Sequence, residues 1–167
     1  MKTYSLTVAV ALFSLTSCTH HRTYSESEIR SRLVGSWRTS TSFETNAATT
    51  HIALKSIGKA LFNSDGTGTS EDDNLMKIDV PEGRLTIEYR AIVHKKWSVN
   101  GQRLYISRTS EEITAKDEIS RKFIESEGMK KLRSRSPTEF DYTLTVYPLK
   151  IVALSSDGTK TTYTRQE

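Results

Sequence analysis

The sequence predicts a mainly β protein, a small antiparallel up-and-down β-barrel of about eight or nine strands, with a short N-terminal helix and one inserted amphipathic helix. Three observations carry this expectation. Turn signals such as Asn63-Ser64-Asp65-Gly66, Pro81-Glu82-Gly83 and Ser155-Ser156-Asp157-Gly158 recur at near-regular spacing between short runs. The runs alternate: Trp97 and Val99 precede the Asn100-Gly101 hairpin pair, and Leu104 and Ile106 follow it, so each flank has one apolar face. Many antiparallel strands in 167 residues must pack as a sandwich or close on themselves to remove their edges.

The chain opens with Met1-Lys2 and an apolar run, Tyr4 to Leu15, interrupted only by small hydroxyls. That is the pattern of a secretory signal. A membrane-spanning helix needs about 20 apolar residues, which this run does not reach. Leu15-Thr16-Ser17-Cys18 resembles the bacterial lipobox, in which an aliphatic and two small residues precede an obligatory cysteine. The resemblance implies a signal peptide over 1–17, lipidation of Cys18 with incorporation of palmitate, and a lipidated tether over 18–25. Several acyl chains at about 0.8 kcal/mol per buried methylene make such an anchor effectively permanent. Thr19 is not the aspartate that resembles an inner-membrane retention signal, so the expected address is the outer membrane, facing the periplasm. Cys18 is the chain's one cysteine, and no intramolecular disulfide is expected.

Ser25 and Glu28 form a capping box that opens a helix running to about Val34, with Ile29 and Leu33 on one face and Gly35 ending it. From Trp37 to Arg108 the chain reads as strands and turns. Residues 109–128 read differently. Thr109 with Glu112 matches a second capping box, Ile113, Ile119, Phe123 and Ile124 fall on one stripe at the helical period, and Gly128 suits the position after a helix. One amphipathic helix is expected there, followed by a basic loop, Lys130-Lys131-Leu132-Arg133-Ser134-Arg135. Alternation returns over Phe140, Tyr142, Leu144 and Val146, then over Ile151 and Ala153, and last over Thr159, Thr161 and Tyr163. Residues 26–167 therefore read as one domain.

Gly35-Ser36-Trp37 on the first strand and Arg165 near the end resemble the lipocalin and wider calycin superfamily. The segments "RLVGSW", "LFNSDGTG", "KKWSVNGQRLYIS" and "FDYTLTVYPLKIVALSSDGTKTTYTR" are similar to those of bacterial lipocalin-like lipoproteins, in the same order, over most of 29–165. The resemblance implies barrel closure by Gly35, Trp37 and Arg165, the guanidinium lying over the indole in a cation–π contact of about 0.5–2 kcal/mol. The departure is 109–137, since lipocalins usually carry their long helix after the last strand.

Lys and Arg number 24 against 20 Asp and Glu, interspersed along the chain, a solvated surface pattern and no footprint for nucleic acid. Ser56-Ile57-Gly58-Lys59 matches S-x-x-K, but the companion motifs of penicillin-binding folds are absent. The four histidines are not spaced as a metal site, and Glu71-Asp72-Asp73 lacks the regular ligand spacing of a calcium loop and reads as a charged loop. No catalytic residue, metal or cofactor is expected, and the protein is not expected to be an enzyme.

Two functions remain. One is a membrane-anchored barrel binding a small apolar or amphipathic ligand. The other is a solid barrel acting on an envelope protein through its surface helix and the candidate contact residues Lys130, Lys131, Arg133 and Arg135. Interior volume separates them, because inward Phe62, Trp97, Tyr105, Tyr142 and Leu144 would crowd the lumen.

Overall fold

The computed structural model describes residues 24–47, 50–81, 83–135 and 138–166. Cys18 and the segment 1–17 lie outside the described residues. Helix α1 (Glu26–Leu33) begins at the Ser25 capping box, with Ser25 Oγ accepting from the Glu28 N–H and Glu28 accepting from the Ser25 N–H. Eight strands follow: β1 (Gly35–Ala47), β2 (Thr50–Phe62), β3 (Thr67–Val80), β4 (Gly83–Asn100), β5 (Arg103–Ala115), β6 (Glu139–Val146), β7 (Lys150–Ser155) and β8 (Lys160–Arg165). Each pairs antiparallel with the next, and β8 pairs with β1, so one up-and-down sheet closes in a ring.

The ring is deeper on one side. β8 pairs with β1 only from Trp37 to Ser42, and β6 pairs with β5 only from Arg103 to Ser107. The far ends of β1 to β5 therefore continue past the closed ring as a curved, five-stranded extension. At the opposite end α1 plugs the barrel. Ile29 and Leu33 are fully buried against Trp37, Phe62, Trp97 and Leu104. Burying a side chain of this size contributes about 1.5–3 kcal/mol, so this plug is the main apolar core.

Residues 109–128 are not one helix. β5 runs through Thr109 to Ala115, and a β-bulge leaves Thr109 unpaired between the His94–Ser110 and Lys95–Arg108 pairs. The extra residue moves the inward face from Leu104, Ile106 and Arg108 to Glu111, Ile113 and Ala115. Two short helices then follow, α2 (Glu118–Glu125) and α3 (Glu127–Arg135). The N-cap of α2 is Asp117, which accepts from the Ser120 N–H and hydroxyl. The expected basic loop is α3 itself, with Gly128 inside its first turn.

The buried residue of α2 is Ser120, while Ile119 from the expected apolar stripe is 62% exposed. β5 ends before it can bond the Glu88 N–H of β4, and the Ser120 hydroxyl accepts from that group in its place. A buried donor left open would cost about 1–3 kcal/mol, which explains a serine where the periodicity expected an aliphatic face.

Candidate functional site

The inward residues of the ring form three layers. Nearest α1 is the apolar plug. Trp37 donates from Nε1 to the Leu33 carbonyl at 2.7 Å and meets Tyr163 edge to face at 6.4 Å. Arg165 pairs in register with Trp37, holds its guanidinium carbon 4.7 Å from the ring centroid, and donates to the Val34 carbonyl. Gly35 adopts φ +120°, and a Cβ there would press on the Arg165 guanidinium. The residues expected to close the barrel thus meet at its floor. Farthest from α1, the extension lines the mouth with half-buried Phe43, Ile52, Leu54, Met76 and Ile113, and with fully buried Ile87.

Between these layers lies a partly open cavity of about 230 Å³ whose lining mixes polar side chains with apolar Ala60, Val93, Ile106 and Phe140. Thr39, Thr41, Ser56, Asp72, Asn74, Lys95 and Thr161 face it, with Arg108 and Glu111 toward the mouth. Gly58 makes room for this layer, since a Cβ would collide with the Asp72 carboxylate and the Glu71 carbonyl. Asp72 accepts from Thr39 Oγ1 at 2.8 Å, and Thr41 and Thr161 share a hydroxyl bond at 2.9 Å.

Lys95 is the outlier. It is 6% exposed and lines the cavity. No buried side-chain nitrogen or oxygen among the described residues lacks a hydrogen-bond partner, so the Lys95 ammonium, without a direct hydrogen bond or ion pair there, keeps an accessible patch toward that space. Its one specific contact is the Phe62 ring, 4.5 Å from Nζ to centroid. Burial pushes the amine down to about 8, with the nearby Asp72 charge opposing that shift. Burial likewise raises the Asp72 carboxyl above its ordinary range, against the Thr39 hydrogen bond and the Lys95 charge. Burial also raises the phenols of Tyr163 and Tyr142, the latter to about 12. Each of these groups is held toward its neutral form.

At the mouth Glu111 accepts from Arg133 of α3 at 3.3 Å and pairs with Arg108 at 3.2 Å. Burial raises the Tyr89 phenol beside them, with the Glu111 charge adding to the shift. Of the candidate contact residues, Lys130 pairs with Glu127, Arg133 reaches Glu111, and Lys131 is exposed on α3, which Arg135 ends. The basic stretch is therefore partly neutralised, and one of its cations belongs to the mouth.

Other sequence candidates disperse. Ser56 faces the cavity while Lys59 is on the outer face of β2, so the S-x-x-K pair cannot act together. Glu71-Asp72-Asp73 is not a loop but part of β3: Asp72 turns inward, while Glu71 and Asp73 pair outside with Arg90 and Lys116. Tyr105 is 39% exposed and leaves the lumen free. Among the described residues no group of three His, Cys, Asp or Glu could hold a metal ion, and no helix is long and apolar enough to cross a membrane.

Sequence reasoning missed Lys95 although a signal existed, since it shares strand parity with Trp97 and Val99 and so lies on the face that alternation marks as buried. Asp72 carries no such signal, because its face of β3 reads Gly68, Ser70 and Asn74. Compared with known proteins, the chain matches no family model and no curated protein.

Proposed function

We propose that this chain is a lipid-anchored envelope protein whose lipocalin-like barrel binds one small amphipathic ligand and catalyses no reaction. The observation that carries the binding reading is the partly open cavity of about 230 Å³, in which Thr39, Ser56, Asp72 and Lys95 face the lumen among apolar Ala60, Val93 and Ile106. A barrel serving only as a scaffold gains by filling such a space with aliphatic side chains, because buried polar groups cost free energy. The polar layer suits a ligand's head, and the half-buried Leu54, Met76 and Ile113 suit its apolar body. The alternative, a docking protein using the basic stretch, is disfavoured by Glu127 and Glu111, which already engage Lys130 and Arg133.

Native mass spectrometry of the full chain, taken from its own envelope, is the test. A bound small molecule of defined mass is expected, lost when Ser56→Phe fills the cavity. Apoprotein alone from both proteins would refute ligand binding.

The anchor rests on the apolar run and on Leu15-Thr16-Ser17-Cys18. Cys18→Ser is expected to leave an uncleaved precursor without labelled palmitate, whereas the unaltered chain takes up label. Absence of label from both would remove the anchor.

A further inference from the structure

We propose that the floor end of this barrel docks on an anionic phospholipid surface, so that the mouth opens away from the bilayer. This rests on the lipid anchor proposed above, and adds the docking surface and the direction in which the barrel faces. Cys18 and Tyr24 are six residues apart, and a fully extended chain of that length spans no more than about 22 Å. β1 runs 13 residues from Gly35 at the floor to Ala47 at the mouth, a rise of about 30 Å along the barrel axis even when tilted. With the mouth on the bilayer, Tyr24 would stand beyond the reach of the anchor. The floor is within it.

The floor carries the side chains that such a contact needs. Its β6–β7 turn presents Tyr147, Pro148 and Leu149 to solvent in succession, and Leu149 is 76% exposed. Backbone bonds fix this turn beside the last turn of α1. The Leu149 carbonyl accepts from the Arg165 N–H, and the Arg165 guanidinium donates to the Val34 carbonyl. Three cations meet around the turn, and each lies over an aromatic ring: Arg32 over Tyr24 at 4.5 Å, Lys150 over Tyr147 at 4.8 Å and Arg165 over Trp37 at 4.7 Å. The carboxylates of this end sit apart from them. Glu26 and Glu28 belong to the first turn of α1 and accept from the Gly101 and Ser25 N–H groups, and Asp65 accepts from Thr67 within the β2–β3 turn. Tyrosine suits the headgroup level of a membrane, where its ring is apolar and its hydroxyl is wet. Lysine and arginine beside it lay their stems on the ring and extend their charge to lipid phosphate. Leu149 supplies the apolar contact below them.

The test uses the full lipidated chain, in which the Cys18 thiol is consumed by its thioether and an introduced cysteine alone takes a bimane label. Thr164→Cys, in register with Lys150 on the outer wall, reports on the floor, and Val80→Cys, exposed at the far end of β3, reports on the mouth. Each is placed on phosphatidylcholine vesicles, with or without phosphatidylglycerol, that carry a nitroxide-headgroup lipid as quencher. The floor probe is expected to lose fluorescence on the anionic vesicles, and the mouth probe to keep it. Leu149→Asp should restore the floor signal. Lys150→Gln should lower the docked-to-undocked ratio by up to about five-fold on the anionic vesicles only, the factor that one cation near such a surface supplies. A floor probe as bright as the mouth probe would overturn docking while leaving the anchor intact. Stronger quenching at the mouth would overturn the orientation, and unchanged quenching in Leu149→Asp would overturn the role of the turn. Equal floor quenching on both kinds of vesicle would overturn the anionic headgroup. A floor probe that stays bright on vesicles but shifts to the blue in whole envelopes would give the turn to a protein partner instead. Absence of labelled palmitate from the unaltered chain would overturn the anchor and this orientation together.

Discussion

Lys95→Met is expected to make the protein more stable at pH 7, by up to about 3 kcal/mol. The origin is the buried amine, which the fold holds at about 8 instead of 10.5. Below pH 8 both folded and unfolded chains carry the proton, and the folded state bears the full cost of the buried charge. Between pH 8 and 10.5 the unfolded chain binds more protons than the folded one, so the stability of the unaltered protein rises with pH across that window. The advantage of the methionine variant should therefore be largest below pH 8 and close toward pH 10.5. Asp72 takes back part of the gain, because the substitution removes its favourable neighbour. The other charged and phenolic groups facing this space, Tyr142, Tyr163, Arg108 and Glu111, are the same in both proteins, and the difference between the two largely cancels them. Urea unfolding at pH 7 and pH 10.5 measures it. A variant less stable at pH 7, or a gap that does not narrow with pH, contradicts the buried-charge account.

Trp37→Ala is expected to cost about 3–5 kcal/mol, as a large truncation inside the floor of the barrel. The indole is 4% exposed, and its loss also leaves the Leu33 carbonyl without its 2.7 Å donor. Arg165→Ala should cost less, about 1–2 kcal/mol, through the cation–π contact and the packing of its stem. Because Arg165 also donates to Val34, its single-variant cost mixes two effects. A double-mutant cycle separates them, and coupling of about 0.5–2 kcal/mol is expected between Trp37 and Arg165. Denaturant melts of the four proteins give the number. Coupling indistinguishable from zero would mean that the ring closes through the β1–β8 ladder alone.

What was legible in the sequence was local. The capping box at Ser25 and Glu28, the Asn100-Gly101 hairpin and the final Ser155–Gly158 turn each depend on a few adjacent residues, and each lies where the pattern put it. Alternation likewise marked the apolar faces of β4 and β6. The meeting of Gly35, Trp37 and Arg165 was indicated by resemblance, since nothing in local periodicity joins the two ends of a chain. Tertiary structure decided the rest, and two residues show how. Thr109 is a bulge, and one unpaired residue turns a strand's period of two out of phase. Ile113 then falls out of step with Leu104 and Ile106, and its six-residue spacing to Ile119 let it be read with Phe123 and Ile124 as one helical stripe. Local pattern cannot separate these cases; the pairing of β5 with β4 can. Lys95 and Asp72, for their part, read in sequence as members of charged runs. Only closure of the ring, with Gly58 leaving space beside its paired neighbour Asp72, puts both inside, where burial pushes the Lys95 amine down and the Asp72 carboxyl up from their ordinary ranges.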